Sequence, residues 1–239
     1  MHTFYLSPEK WTEPYVLDQD EAHHLSRVLR MGPGQKVRIL DGQGRMGFFL
    51  VQNCTRKEVL LEPEQIWTRP EPSRKLHLAL GWNKSSRRSW LLEKAVELGA
   101  WRVIFWTGQN SQGRMERFRT DNWHKRLVSA AKQSINPWIP EIVCLRQGIH
   151  ELITYAGSIP AKMVLWEQEK VQSLLDAYLQ NKSPERVVVV GPEGGLTRQE
   201  LEELNQAGFV SACLGPRVLR WETAALSVLC LDMLLQEHK

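Results

Sequence analysis

Four consecutive valines, Val187–Val190, run directly into Gly191-Pro192-Glu193-Gly194-Gly195-Leu196-Thr197. A stretch that is apolar at every position suits a strand buried on both faces, the situation in a parallel sheet with helices on each side. The glycines end that strand, and Thr197 with Glu200 makes a Thr-x-x-Glu capping box that opens a helix. Strand, turn and helix in this order are the repeating unit of an α/β fold. Ligands in such folds sit at the carboxyl ends of the strands. Gly191, Gly194 and Gly195 allow close backbone approach and positive φ there. The turn is neither a P-loop nor Gly-x-Gly-x-x-Gly. Glu193 argues against a phosphate ligand and for a cationic or hydroxyl group. An ordinary tight turn is the other reading of the same residues.

A second stretch has the same form: Leu214-Gly215-Pro216-Arg217-Val218-Leu219-Arg220-Trp221-Glu222-Thr223-Ala224. A strand over 209–214 ends in Gly-Pro, and a helix over 221–236 follows. Arg217, Arg220 and Glu222 crowd charge between two apolar elements, where charges need partners. A surface helix cap is the alternative. Two such turns after sequential strands are expected to lie side by side at one end of the sheet and to line a pocket with backbone.

The remaining pattern divides the chain. Residues 1–70 read as short strands (37–40, 46–51, 59–62) with a hairpin signal at Asp41-Gly42-Gln43-Gly44 and one helical piece over 20–30, the texture of a small β-barrel. Arg69-Pro70-Glu71-Pro72-Ser73 reads as a linker. From residue 74 to 239 strands and helices alternate. Strands are expected at 76–80, 103–106, 163–166, 187–190 and 209–214, and helices at 86–98, 121–135, 171–179, 201–206 and 221–236.

Apolar residues make up 42% of the 239 and charged residues 24%, a globular balance. The most apolar stretch, Ala224–Leu235, is interrupted by Asp232 and is too short to span a bilayer, so no membrane association is expected. Met1–Tyr5 lacks the pattern of a signal peptide, and no Cys-x-x-Cys pair exists, so a reduced cytoplasmic protein is expected. His23-His24 point in different directions on a helix without a third ligand spaced to help, so no metal is expected. Charge is unevenly spread. Residues 73–150 hold 14 Lys and Arg against 5 Asp and Glu, whereas the flanking segments are net acidic. Such a basic region suits a phosphate backbone, or is simply a solvated face.

The paired stretches around Gly191-Pro192-Glu193-Gly194-Gly195 and Leu214-Gly215-Pro216-Arg217-Val218-Leu219-Arg220-x-Glu222-Thr223-Ala224 resemble the signature of the RsmE family. These are bacterial S-adenosyl-L-methionine-dependent methyltransferases acting on N3 of a uridine in 16S ribosomal RNA. His23-His24-Leu25-x-x-Val28-Leu29-Arg30, Glu93-Lys94-Ala95-x-Glu97-Leu98-Gly99, Ala130-Ala131-x-Gln133-Ser134 and Leu165-Trp166-Glu167 resemble further family motifs, so the likeness covers nearly the whole chain. It implies a PUA-like β-barrel (1–70) that binds RNA and a SPOUT α/β methyltransferase domain (74–239) whose carboxyl-terminal segment forms a deep trefoil knot. It also implies a homodimer and the small ribosomal subunit as partner. The chain departs from the family pattern at Gln109-Asn110, Ile135-Asn136 and Trp221. Two rivals follow: a SPOUT methyltransferase with another RNA target, and a non-catalytic RNA-binding assembly factor.

The resemblance implies a cofactor held by Leu165, Trp166, Gly191, Pro192, Glu193, Gly194, Leu214, Gly215, Val218 and Leu219. Deprotonated uridine N3 spreads charge onto O2 and O4, and a guanidinium aimed there stabilises it. Arg220 is the candidate, Arg217 the runner-up, and Glu222 is expected to orient Arg220 as a bidentate pair. RNA phosphates are expected at Arg27 and Arg30, three apart on one helix face, and at Arg87, Arg88, Arg114 and Arg117.

Overall fold

The computed structural model describes residues 1–55, 57–84, 87–115 and 120–237. They form two compact units, one of residues 1–71 with 124–139, the other of residues 72–123 with 140–239.

The first unit is built on β1 (Thr3–Tyr5), β2 (Tyr15–Asp18), β3 (Lys36–Leu40), β4 (Arg45–Cys54) and β5 (Glu58–Thr68), hydrogen-bonded in the order β1-β3-β4-β5-β2. β1 runs parallel to β3, and the other pairs are antiparallel. The β3–β4 connection is the Asp41–Gly44 turn that the sequence signals. Buried Asp41 accepts from the Gln43 and Arg45 amides and from Arg45 Nε. Gly42 and Gly44 take φ of 79° and 96°, a region open to glycine at little cost. Trp11, Tyr15 and Phe49 stack edge-to-face in a core shared with Phe4, Leu25 and Ile39.

The helical piece expected over 20–30 is α1 (Gln19–His23) running into a π-helical turn, His24–Val28. It stops there, and Arg30 adopts φ 51° beyond its end. Arg27 and Arg30 are both exposed, but they do not share a helix face as their spacing suggested. The helix expected over 121–135 is α3 (Thr120–Ser134), which divides between the two compact units. From His124 onward it groups with the first unit. Lys125 and Lys132 pair with Asp20 and Glu21 at 2.8 and 2.5 Å, and His124 meets the Tyr5 ring edge-to-face.

The second unit holds β6 (Lys75–Gly81), β7 (Arg102–Trp106), β8 (Glu141–Leu145), β9 (Ala161–Leu165), β10 (Glu185–Val190) and β11 (Val210–Ala212). All pairs are parallel, in the order β11-β9-β10-β6-β7-β8. α2 (Arg88–Glu97), α4 (Ile149–Tyr155), α5 (Leu174–Gln180), α6 (Arg198–Gln206) and α7 (Trp221–Glu237) connect or follow the strands. Val187 and Val189 join a core with Ile149 and Leu152 of α4 and Leu204 of α6. Val188 points to the opposite face, where α7 packs on β6 and β10, and it too is fully buried. The valine run is thus covered on both sides. β8 and α4 carry no counterpart in the sequence reading. No helix among the described residues is long and apolar enough to cross a membrane.

At the amino ends of the strands lies a polar network. Buried His77 contacts Glu185 Oε1 at 2.9 Å and the Tyr155 hydroxyl at 3.3 Å, and Arg102 donates to Glu141 at 2.7 Å. Burial pushes the His77 pKa down, against the pull of Glu185. The fold therefore favours neutral His77, while the unfolded chain takes up a proton near pH 6.5. Its stabilising contribution is present above that pH and is lost as pH falls below it. Urea unfolding is expected to show lower stability at pH 5.5 than at pH 7.5 from this group, and His77→Gln is expected to flatten the slope.

Candidate functional site

The strand order decides where the two glycine turns lie. They do not follow neighbouring strands, because β9 lies between β10 and β11. The carboxyl end of β9 therefore separates the turns, and a cleft is lined by all three segments. The cleft opens to solvent at its mouth.

Each wall comes from a different segment. Leu165 and Trp166 at the end of β9 contribute apolar surface, with Glu167 beside them. Gly191, Pro192 and Glu193 form the β10 side, together with Gly195 and Leu196. Leu214, Gly215, Val218 and Leu219 form the β11 side, with Arg217 between them. Trp221 and Ala224, in the first turn of α7, also line the cleft. Nine of the ten residues assigned to a cofactor from the sequence are therefore among those lining one cleft. Gly194 is not among them. Leu196 and Ala224 also line the cleft; each lies inside a stretch singled out from the sequence but was not assigned to the cofactor.

The turn after β10 is held from several sides. Thr197 caps α6 through the expected reciprocal box with Glu200. Glu200 is 1% exposed, and its second oxygen accepts the Gln109 amide at 2.8 Å. Gly81, at the end of β6, lies against the turn so closely that a Cβ there would stand 2.2 Å from the Pro192 nitrogen. Gly195 and Gly215 take φ of 73° and 107°.

The charged residues depart from expectation. Glu222, 7% exposed, accepts from Arg87 Nη1 and not from Arg220. A carboxylate so little hydrated takes the nearest planar cation, and Arg87 at the start of α2 is in position. Arg87, expected on RNA, is thus engaged with α7, beside Trp90, Thr223 and Leu226. Trp90 is 41% exposed. Arg88 is also turned inward. Its guanidinium lies 3.9 Å from the Trp82 ring centroid and donates to the Asn83 carbonyl at 2.7 Å, and burial lowers its pKa. Arg217 and Arg220 are both exposed, and Arg217 is the one lining the cleft. Arg114 is exposed, and Arg117 lies outside the described residues. Among the described residues no cluster of three or more His, Cys, Asp or Glu is arranged to hold a metal.

Comparison with known proteins agrees with this geometry. The family model described as an RNA methyltransferase domain matches residues 69–232, and an RNA methyltransferase PUA domain matches residues 17–64. Ribosomal RNA small subunit methyltransferase E of Bacillus subtilis is 28% identical over 226 residues, covering 90% of this chain and 88% of that protein. Its counterpart in Mycobacterium bovis is 30% identical over 220 residues, covering 88% and 82%. Among solved structures, a ribosomal RNA small subunit methyltransferase E from Neisseria gonorrhoeae, bound to S-adenosyl methionine, superposes with a TM-score of 0.83 at 26% identity, covering 98% of each chain. A probable rRNA-methyltransferase from Porphyromonas gingivalis gives 0.85 at 28% identity, covering 99% and 98%. With a PUA domain ahead of an α/β RNA methyltransferase domain, the chain belongs to the ribosomal RNA small subunit methyltransferase E family.

Proposed function

We propose that this protein methylates N3 of a uridine in 16S ribosomal RNA of the small subunit, with S-adenosyl-L-methionine as donor. The observation that carries the reading is the single cleft lined by the ends of β9, β10 and β11. Its lining fits that donor chemically. Leu165, Trp166, Leu214 and Leu219 offer apolar surface for an adenine ring. Glu167 and Glu193 suit cationic groups, and Arg217 suits a carboxylate. Among the described residues, the buried indole N–H of Trp221 has no hydrogen-bond partner, a donor left over within the cleft wall.

In this proposal backbone groups of Leu214, Gly215, Val218 and Leu219 hold the adenine, and Gly191, Pro192 and Glu193 hold the remainder. Gly194 acts as a spacer in that turn. Bound there, the donor supplies an electrophilic methyl group on a sulfonium. The protein's part is to hold the base in line and to exclude water. Loss of the N3 proton to solvent leaves an anion shared by N3, O2 and O4. Arg220 stabilises it, with Arg217 on the cleft wall as the second cation. Glu222 acts at one remove by fixing Arg87 to the start of α7. No metal takes part.

The same reading has the PUA domain and the exposed Arg27, Arg30 and Arg114 contact RNA phosphates, with Arg117 as a further contact. Arg87 and Arg88 contribute through the site's architecture. Affinity for ribosomal RNA is then expected to fall more than tenfold between 50 and 200 mM salt in a filter-binding titration. The proposal includes a cytoplasmic homodimer, supported by the exposed Trp90 beside the Arg87–Glu222 pair. It also includes a deep trefoil knot in the SPOUT domain, supported by a chain that passes from β10 to β11 across β9. The test is incubation with labelled donor and small subunits from a strain lacking the enzyme. Appearance of 3-methyluridine in 16S RNA is the expected result. Label in another RNA, or RNA binding without label, overturns it in favour of the two rivals.

A further inference from the structure

The amide of Asn110 lies beyond β7, on the loop that approaches the glycine turn. Its Nδ2 donates to the Gly194 carbonyl at 3.2 Å and to the Gly195 carbonyl at 3.1 Å. The contact is close on the other side as well, since a Cβ at Gly194 would stand 2.9 Å from Asn110 Cβ and 3.0 Å from its carbonyl oxygen. One residue earlier, the Gln109 amide donates to Glu200 Oε1 at 2.8 Å, while Glu200 Oε2 accepts the Thr197 amide at 2.9 Å. The loop is therefore fastened to the turn at two points, at its middle through Asn110 and at its exit through Glu200.

We infer that Asn110 is a positioning residue for the cofactor cleft: it sets the peptide planes of Gly194 and Gly195 and so orients the turn that forms the β10 wall. This rests on the proposed use of S-adenosylmethionine. The chemistry favours the inference over incidental contact. A primary amide carries two N–H bonds, enough for two carbonyls at once. Asn110 is itself exposed, so its hydrogen bonds supply little core stability, and what they constrain is local. The turn has a glycine at 194 where a side chain would displace the amide, and a glycine at 195 with positive φ, where few other residues fit. Two adjacent glycines are conformationally loose, and a cross-strut offsets that freedom.

The test compares the wild type with Asn110→Ala and Asn110→Asp. The second replaces the donor by a carboxylate that repels both carbonyls while keeping the shape. Amide hydrogen exchange of residues 191–197 in cofactor-free protein is expected to speed up about tenfold in both variants, with the melting temperature nearly unchanged. Calorimetric Kd for S-adenosylmethionine is expected to rise about tenfold for Ala and further for Asp, with kcat at saturating cofactor within about twofold. Exchange and Kd equal to wild type in folded variants overturn the positioning role. Should Asn110→Asp fail to fold, the Ala variant decides by the same two measurements. Failure of the wild type itself to bind the cofactor overturns the functional reading, while the exchange result still judges the strut.

Discussion

Arg220→Ala is expected to lower methyl transfer to ribosomal RNA by about 10²–10³-fold at saturating donor and RNA, the loss seen when one donor to a developing anion is removed. Donor affinity is expected to stay within about twofold, because Arg220 is exposed at the residue before α7 and is not among the residues lining the cleft. The split between rate and binding distinguishes a group acting on the base from one holding the cofactor. Arg220→Lys keeps the charge but loses the planar fork, so an intermediate rate is expected. Arg217→Ala, measured alongside, is expected to weaken donor binding, since Arg217 does line the cleft. Unchanged turnover in Arg220→Ala with a collapse in Arg217→Ala reassigns the anion-stabilising role to Arg217.

Gly81→Ala is expected to be the most damaging single-methyl change. A Cβ at Gly81 would lie 2.2 Å from the Pro192 nitrogen and 2.6 Å from the Gly191 carbonyl carbon. Those atoms are backbone, so no rotamer change relieves the clash. Either β6 or the glycine turn must move. Overpacking of this kind costs about 1–3 kcal/mol, read as a lowered urea midpoint. Because either movement shifts the glycine turn relative to the end of β6, donor affinity is expected to fall more than tenfold in whatever fraction remains folded. A variant with wild-type stability and wild-type Kd would show that the two segments are not held in contact. Gly157→Ala is the comparison, since its Cβ meets nothing within 4 Å.

Local signals in the chain were read well where the physics is local. The valine run is buried on both faces because every one of its side chains is apolar, and the Thr197–Glu200 box forms because both partners lie within one helical turn. What escaped was non-local or weakly marked. β8 begins with an exposed Glu141, and α4 starts after Gly148 without a side-chain cap, so neither announces itself. The passage of β9 between β10 and β11 is a property of sheet order, which no run of residues encodes. Glu222 was paired with Arg220 because they are neighbours in sequence, yet its partner Arg87 lies 135 residues away. The grouping of residues 124–139 with the first unit was equally invisible, since their helical periodicity says nothing about which surface receives them. The cofactor residues were found by family likeness more than by pattern, and the cleft brings nine of the ten together.

Three stretches of chain, near residues 165, 191 and 214, must meet before the cleft exists, and the last of them leads into α7. During translation the amino-terminal domain and most of the parallel strands emerge first, and they have nothing with which to grasp a methyl donor. The cleft is complete only once the segment from Ala212 to Ala224 is in place. Premature termination or carboxyl-side proteolysis ahead of residue 212 thus removes the wall built from Ala212 to Ala224 and leaves a fragment without a complete cleft.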